Sequence, residues 1–298
     1  MTILGIETSC DETAAAVVKI ESDKNIELLS NIVATSLSLH AKTGGIIPEV
    51  AAREQVKFII PVIEESLKVL KDPQREIDAI AVTVGPGLIG SLLVGVETAK
   101  AMSYAWNKPI IPVNHLFGHI YANFIGENKI EFPAVALIVS GGHTDLVLIK
   151  NHGRIKWLGG TRDDAAGEAF DKTGRLLNLP YPAGPEIERL ATGITKDVYN
   201  FPRPLISSDD YDFSFSGLKT AVLRETQKNE QLNTERISNI CYSLSEAIFD
   251  VLIKKTLRAA NEYNAKSILL GGGVAANQTL REKFQLSIIL KIERKSPI

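Results

Sequence analysis

Residues 2–19 read TILGIETSCDETAAAVVK, and this stretch decides the fold. Residues 3–7 and 14–18 have the apolar composition of paired strands, and the turn between them is crowded with small hydroxyls and two acids. A plain hairpin needs only a Gly or Asn pair at such a turn. The pattern therefore predicts two strands joined by a turn that carries chemistry.

The same pattern returns at residues 134–149, which read AVALIVSGGHTDLVLI. This segment again consists of a strand, a polar Gly/Ser/Thr turn at 140–145 and a second strand. The distance between the two copies is far too long for the repeat of a solenoid. We therefore predict a duplicated α/β fold with an N-terminal lobe at 1–130 and a C-terminal lobe at 131–298. A ligand cleft is expected between the lobes, where strand-ended turns meet.

Further periodic segments fill the two halves. Helices are predicted near 49–70, 92–104 and 237–263, and strands at 77–84 and 267–270. Pro61 should kink or break the first of these helices, and Ser216 is a candidate cap for a helix that follows residues 212–215. The Gly-rich turns at 85–91 and 271–277 either offer backbone N–H groups to an anion or mark close packing of a helix on a sheet.

Residues 113–119, VNHLFGH, contain two histidines four residues apart. On a helix, His115 and His119 lie on one face about one turn apart, so both imidazoles reach a single metal ion. Such a pair leaves room for a third ligand, usually a carboxylate, and for substrate oxygens. The alternative is an ordinary pair of core or partly exposed histidines.

Composition limits the function classes. The 298 residues suffice for two lobes, and 45% hydrophobic with 23% charged residues is typical of a soluble globular protein. No stretch has the length and apolarity of a membrane span, and the amino terminus lacks the features of a signal peptide. Cys10 and Cys241 do not make a disulfide framework, so a cytoplasmic location is expected.

The net charge of −2 does not indicate the excess of positive charge that is typical of nucleic-acid-binding proteins. RNA binding would need partner proteins or a local basic patch, for which Lys219, Arg224 and Lys228 are the candidates. Such a helix face is more often merely solvated.

Six segments together resemble one family: residues 5–13, 45–49, 114–116, 139–144, 212–221 and 271–277. They are similar to the TsaD family, the tRNA N6-adenosine threonylcarbamoyltransferases once labelled glycoproteases, in order and spacing over residues 1–283. The resemblance implies an actin-like/hexokinase-like (ASKHA) fold. It also implies transfer of threonylcarbamoyl from threonylcarbamoyl-AMP to N6 of the adenosine beside the anticodon, in tRNAs that read codons beginning with A. Implied partners are tRNA, a TsaB-like homologue and a TsaE-like ATPase.

The resemblance also implies site residues. Its metal ligands fall on His115 and His119, with one divalent ion per subunit, Fe²⁺ or alternatively Zn²⁺. Its catalytic acidic turn falls on Asp11 and Glu12, of which we expect Asp11 to be the base that accepts the amine proton. The substrate-binding positions are Ile138, Val139, Ser140, Gly141, Gly142, Asp171, Gly184 and Asn277. Backbone amides at 140–142 are expected to stabilise the negative charge that develops during the reaction.

The sequence departs from the family in three places. Ala183 stands where glycine is usual, and Gln55 where histidine is common. The family's third metal ligand is an aspartate in a Ser/Thr-Asp-Asn-Ala motif, but this chain has no aspartate after Asp250, as if its end were truncated or frameshifted. Unless Glu293 substitutes, we expect a weakened metal site and reduced stability.

Three other functions compete with transfer. The cleft motifs would also suit an ATPase or phosphotransferase of the same fold, and the missing motif would suit a catalytically impaired scaffold for partner proteins. A metallopeptidase is disfavoured, because zincins need a glutamate directly after the first histidine, where Leu116 stands. No turn has the spacing of a P-loop or of a dinucleotide-binding G-x-G-x-x-G.

Overall fold

The computed structural model describes residues 1–21, 26–126, 129–228 and 232–293. Contacts divide the chain into two compact units, Met1–Lys129 and Ile130–Ile298. Each unit has its own sheet and its own hydrophobic core.

The first unit contains a five-stranded sheet. Its strands are β1 Thr2–Glu7, β2 Glu12–Ile20, β3 Ile26–Thr35, β4 Ala79–Gly85 and β5 Ile110–Asn114. They lie in the order β3-β2-β1-β4-β5, antiparallel from β3 to β1 and parallel from β1 to β5. The predicted strand pair is confirmed, with Glu7 opposite Ala14 at the turn. Leu4 and Ile6 of β1 are buried, as expected for a strand with one face in the core.

Helices cover the core of this unit. They are α1 Leu37–Thr43, α2 Pro48–Leu67, α3 Pro73–Glu76, α4 Ile89–Trp106 and α5 His115–Tyr121, followed by a 3₁₀ turn at Ala122–Phe124. A break at Pro61 does not occur, because α2 continues through it. Proline removes one helical hydrogen bond. The burial of Ile59, Val62 and Ile63, each 4% exposed, in the core of this unit offsets the loss.

The second unit repeats the strand arrangement of the first. Its strands are β6 Ala134–Val139, β7 Thr144–Asn151, β8 Arg154–Gly160 and β9 Ser267–Gly271. They lie in the order β8-β7-β6-β9, antiparallel from β8 to β6, with β9 parallel to β6. This is the order of β3-β2-β1-β4, which confirms the predicted duplication. All six residues of β6 are buried, as in a strand covered on both faces.

The helices of the second unit enclose a larger core. They are α6 Ala166–Leu176, α7 Ala183–Ala191, α8 Ser216–Thr226, α9 Thr234–Glu262 and α10 Gln278–Glu293, with a 3₁₀ turn at Gly273–Ala276. The long α9 runs through this core, and Ile240, Leu244, Ile248 and Leu252 at helical spacing are fully buried.

Cys10 and Cys241 are both free thiols. No helix in the described parts of the chain combines the length and apolarity that crossing a bilayer requires.

Candidate active site

The turn at residues 8–12 is held by a side chain from α2. The amide Nε2 of Gln55 lies 3.0 Å from the carbonyl oxygens of Cys10 and Glu12, and 3.4 Å from that of Thr8. Gln55 is fully buried, so it is a fixed donor at the centre of the turn. Histidine, which is common at this position in the family, would also offer an N–H to the turn.

Two further contacts fix the same turn. The hydroxyl of Ser36 donates to the carbonyl of Asp11 at 2.9 Å, and the amide of Leu88 donates to the carbonyl of Ser9 at 2.7 Å. A Cβ on Gly87 would lie 2.5 Å from that same carbonyl oxygen, so only glycine allows this approach. Of the two readings of the Gly-rich turn at 85–91, the structure favours close packing.

The side chains of the acidic turn have different surroundings. Partial burial, followed by repulsion from Asp11 and Glu7, raises the pKa of Glu12 above its ordinary value. A carboxyl group with a raised pKa is the better match for general-base work near neutral pH. The pKa of Glu12 is thus shifted in the direction that favours general-base catalysis.

Glu7, at the end of β1, is a site residue that the sequence pattern did not single out. Its Oε1 accepts a hydrogen bond from the amide of Ser9 and its Oε2 accepts one from the hydroxyl of Thr83, both at 2.5 Å. Burial alone would raise the pKa of Glu7, but hydrogen bonds from His115, Ser9 and Thr83 outweigh it and lower the pKa to about 2. The carboxylate is therefore ionised and immobilised.

The two histidines begin α5, directly after β5. The side chain of Asn114 caps this helix by accepting from the amide of Leu116 at 2.9 Å. The rings of His115 and His119 lie side by side and meet edge to face, with centroids 4.5 Å apart. His115 Nδ1 lies 3.1 Å from Ser9 Oγ and 3.3 Å from Glu7 Oε2.

A cavity of about 340 Å³ opens beside this pair. Its lining residues come from strands β1, β2, β3, β4 and β5 and from α5, and the polar ones are Glu7, Asn31, Thr83, His115 and His119. Asp11 and Glu12 are not among the described residues that line it. The structure therefore joins Glu7, rather than the two predicted acids, to the histidine pair.

The histidine pair fits two positions of one metal ion. The rings are close, and the carboxylate on Nδ1 of His115 is the kind of outer contact that metal-bound histidines make. Among the described residues, no group of three or more metal-ligating side chains is found. The side chain of Glu293, the alternative third ligand, lies outside the described residues.

A second cavity, of about 290 Å³, lies within the second unit. Four segments line it: the turn after β6, the start of α6, the start of α7 and the segment after β9. The lining residues are Gly141, Gly167, Phe170, Asp171, Pro182, Gly184, Pro185, Glu188, Gly273, Val274, Ala276 and Asn277. Four of the predicted substrate-binding residues, Gly141, Asp171, Gly184 and Asn277, are in this set.

The other four predicted positions lie elsewhere on β6 and its turn. Ile138 and Val139 are fully buried strand residues. The amide of Ser140 already donates to the carbonyl of His143 at 2.9 Å, so within the turn this amide has an acceptor of its own. Gly142 is not among the described residues that line the cavity.

Asp171 is tied to the start of α7. Its Oδ1 accepts a hydrogen bond from the amide of Ala183 at 2.7 Å. Burial raises the pKa of Asp171, and the amide of Ala183 and the charge of Arg175 oppose this only in part. The methyl group of Ala183 packs against Gly174, where a Cβ would come within 2.2 Å of it. Gly174 therefore provides the space for this departure from the family's usual glycine.

Glu188 is a second residue that sequence reasoning missed. Its Oε1 accepts from the amides of Gln278 at 2.8 Å and Thr279 at 3.4 Å, and Asn277 Oδ1 accepts from the amide of Leu280 at 2.9 Å. Two cavity residues thus cap α10 and fix the segment after β9. The Glu188–Gln278 contact spans 90 positions, so no local motif reveals it.

The segment at 212–221 is positioned by an acid from another loop. Asp163 accepts hydrogen bonds from the hydroxyls of Ser214 and Ser216 and from the amides of Phe215 and Ser216. The expected capping role of Ser216 is wrong, because Ser216 is the first helical residue and Asp163 provides the acceptor. Burial would raise the pKa of Asp163, but these hydrogen bonds lower it to about 2.

The candidate RNA-binding side chains lie on α8 and just beyond it. Lys219, Arg224 and Lys228 are all exposed. Lys228 Nζ is paired with Glu225 Oε2 at 2.5 Å. A contact between this face and RNA stays a prediction.

Comparison with known proteins identifies the family. Residues 27–293 match the profile of TsaD, tRNA N6-adenosine threonylcarbamoyltransferase. The chain belongs to the TsaD family. A relative of that name from Staphylococcus epidermidis is 50% identical over 94% of this chain and 81% of its own length. Another, from Symbiobacterium thermophilum, is 49% identical over 96% of this chain and 82% of its own length. Members of this family bind a metal ion.

Solved structures with similar folds confirm the fold class. Full-length HypF, in a phosphate- and nucleotide-bound form, matches with a TM-score of 0.62 and 12% identity, over 97% of this chain and 51% of its own. Component A of (R)-2-hydroxyglutaryl-CoA dehydratase from Acidaminococcus fermentans matches with a TM-score of 0.55 and 15% identity, over 97% of this chain and 89% of its own. The chain therefore has the predicted ASKHA-type α/β fold.

Proposed function

We propose that this TsaD-family chain transfers threonylcarbamoyl from threonylcarbamoyl-AMP to N6 of the adenosine beside the anticodon, in tRNAs that read codons beginning with A. The observation that carries this proposal is the family match over residues 27–293. The cavity that gathers Gly141, Asp171, Gly184 and Asn277 supports it, because these are the positions that the resemblance assigns to the adenylate.

In this proposal the adenylate occupies the cavity of the second unit. Its volume of about 290 Å³ is near the lower end for small-molecule sites. The carboxyl groups of Asp171 and Glu188 line this cavity and are proposed to accept hydrogen bonds from the ribose or the base. The glycines let the ligand approach the backbone closely. Gly141 lines the cavity, and its amide is proposed to face the phosphate together with that of Gly142, the next residue in the turn after β6.

The reaction joins the adenosine N6 to the carbamoyl carbon of the mixed anhydride. The bond between this carbon and the phosphate oxygen breaks, AMP leaves, and the attacking nitrogen loses a proton. Asp11 is our proposed acceptor of that proton, with Glu12 as the alternative. The raised pKa of Glu12 is an observation in its favour, because proton transfer is most efficient when the base titrates near the working pH.

His115 and His119 are proposed to hold one divalent metal ion, Fe²⁺ or Zn²⁺. When bound, such an ion supplies a Lewis acid that polarises carbonyl or phosphoryl oxygens. The paired rings, 4.5 Å apart, and the ionised Glu7 beside His115 support this assignment.

Partner proteins are proposed to be a TsaB-like homologue and a TsaE-like ATPase. Four apolar side chains on α2 and α4 support a protein partner: Val56, Ile60, Ile89 and Leu93, each between 50% and 75% exposed. The two helices pack closely where Gly90 faces Ala52, so these side chains flank one helix pair. Exposed apolar groups of this kind mark interaction surfaces. A cytoplasmic location is proposed, as suits a tRNA-modifying enzyme.

Product analysis with defined substrates tests the proposal against its nearest rival. The chain is incubated with the partner proteins, threonylcarbamoyl-AMP and unmodified tRNA, and separately with ATP alone. We expect AMP release only when tRNA is present, and no phosphate release from ATP by this chain alone. Sustained phosphate release from ATP without tRNA or partners would instead establish an ATPase of the same fold.

A further inference from the structure

Glu7 contacts one of the two ring nitrogens of His115. Glu7 Oε2 is 3.3 Å from Nδ1 of His115, whose side chain is only 17% exposed. The hydroxyl oxygen of Ser9 lies 3.1 Å from the same nitrogen. Both contacts fall on Nδ1, so whether Nδ1 carries a hydrogen depends on which of these neighbours donates to it and which accepts from it.

The carboxylate of Glu7 acts only as an acceptor. Thr83, on the neighbouring parallel strand β4, donates its hydroxyl hydrogen to Oε2, and the amide of Ser9 donates to Oε1. Donors on both oxygens fix the orientation of the group and favour its ionised form. An ionised carboxylate has no hydrogen to give. A favourable contact with His115 therefore requires the hydrogen on Nδ1.

The competing arrangement has Ser9 donating to a bare Nδ1. The lone pair of Nδ1 would then face an anionic oxygen of Glu7 at 3.3 Å, which is repulsive. With the hydrogen on Nδ1, both Ser9 Oγ and Glu7 Oε2 accept from it, and no lone pairs oppose each other. The geometry therefore favours the first arrangement.

We infer that Glu7 is a positioning residue, which holds the proton of His115 on Nδ1 and leaves Nε2 free of hydrogen as the donor atom for a metal ion. The inference deepens the function proposed above and rests on it for the catalytic consequence. Outer carboxylates of this kind typically contribute about 10- to 100-fold to metal affinity.

The tautomer is read directly by long-range ¹H–¹⁵N NMR on the metal-free, histidine-labelled chain, at a pH where the imidazoles are neutral. The wild-type chain is expected to carry the Nδ1–H form at His115. Glu7→Gln, whose amide can donate, is expected to populate the Nε2–H form, and Ser9→Ala is the matched control that keeps Nδ1–H. Wild-type protein in the Nε2–H form, or a switch in Ser9→Ala instead of Glu7→Gln, would overturn the inference.

Metal affinity provides the second readout. In a Co²⁺ titration followed by visible absorption, Glu7→Gln is expected to bind about 10- to 100-fold more weakly than wild type, whereas Ser9→Ala stays near it. Equal affinities would overturn the inference. If Glu7→Gln folds poorly, Thr83→Val removes the hydroxyl that orients the carboxylate and is expected to act in the same direction. An unchanged tautomer and affinity in Thr83→Val would count against the inference.

The two proposals fail in different ways. The tautomer measurement needs neither metal nor tRNA. An Nε2–H ring in an active enzyme overturns the role of Glu7 alone. An Nδ1–H ring in a chain that transfers nothing to tRNA overturns the proposed function alone.

Discussion

At the scale of single residues, Gln55 does most to fix the acidic turn, because its one amide nitrogen serves three backbone carbonyls. Gln55→Leu keeps the volume and removes the donor. Polar groups left without a partner cost about 1–3 kcal/mol when buried, and the carbonyls of Cys10 and Glu12 are only partly buried, so we expect a loss of about 2 kcal/mol in the free energy of unfolding, measured with urea. Transfer activity should fall with it, because Asp11 and Glu12 lie in this turn.

Gln55→His is the matched control for that change. It restores the residue that is common in the family, and its ring N–H can donate to the same turn. We expect most of the stability and activity to be kept. Equal losses in the leucine and histidine variants would show that packing volume, rather than the hydrogen bonds, is what matters at this position.

The sequence pointed to candidate site residues that belong to local patterns and missed residues that act across the fold. His115 and His119 were predicted from a spacing of four on one helix, and Asp171 and Asn277 from family motifs. Glu7, Gln55 and Glu188 were not predicted as site residues. Each contacts a partner 47 to 108 positions away, so the contact exists only once distant parts of the chain have folded together.

At the scale of elements, α8 depends on Asp163, an acid that lies outside the helix. Since its pKa is lowered to about 2 in the folded chain, the stabilisation is fully present above the ordinary pKa of an aspartate, about 4. It is lost as the pH falls toward 2. We expect Asp163→Asn to be less stable than wild type at pH 6, with the difference shrinking between pH 4 and pH 2 in thermal or urea unfolding. A difference that does not change with pH would contradict this origin.

The packing of α6 on the start of α7 gives a reciprocal test. A Cβ on Gly174 would lie 2.2 Å from that of Ala183, so Gly174→Ala should overpack the contact and cost about 1–3 kcal/mol. The double variant with Ala183→Gly, the family's usual residue, should recover most of that loss. Additive losses in a double-mutant cycle measured by urea unfolding would show that the two positions do not compete for space.

The strands that the sequence revealed differ physically from those it missed. The pairs β1–β2 and β6–β7 were predicted because their apolar runs are bounded by polar turns. The strands β3, β5 and β8 were missed, and all three are edge strands of their sheets, although the fourth edge strand, β9, was predicted at 267–270 from its apolar run. Edge strands are half solvated and carry mixed side chains, for example the exposed Trp157 in β8, so their alternation is weak.

At the scale of the whole molecule, the exposed apolar side chains of α2 and α4 predict how the chain assembles. Ile60→Asp should weaken binding of a TsaB-like partner at least about tenfold, as expected for a charge placed in an apolar interface. Its own melting temperature should change little, because Ile60 is 52% exposed. Val198→Asp, at a residue of 49% exposure in the second unit, is the matched control. Equal binding by both variants, measured by calorimetry, would place the partner elsewhere.

The central claim is that this chain forms threonylcarbamoyladenosine in tRNA. The most direct measurement is nucleoside analysis by mass spectrometry of unmodified tRNA, after incubation with threonylcarbamoyl-AMP, the partner proteins and either the wild-type chain or His115→Ala. We predict the modified nucleoside with the wild-type chain and its absence, or a large loss, with His115→Ala. No modified nucleoside from the wild-type chain, in conditions where the Staphylococcus epidermidis relative forms it, would contradict the account.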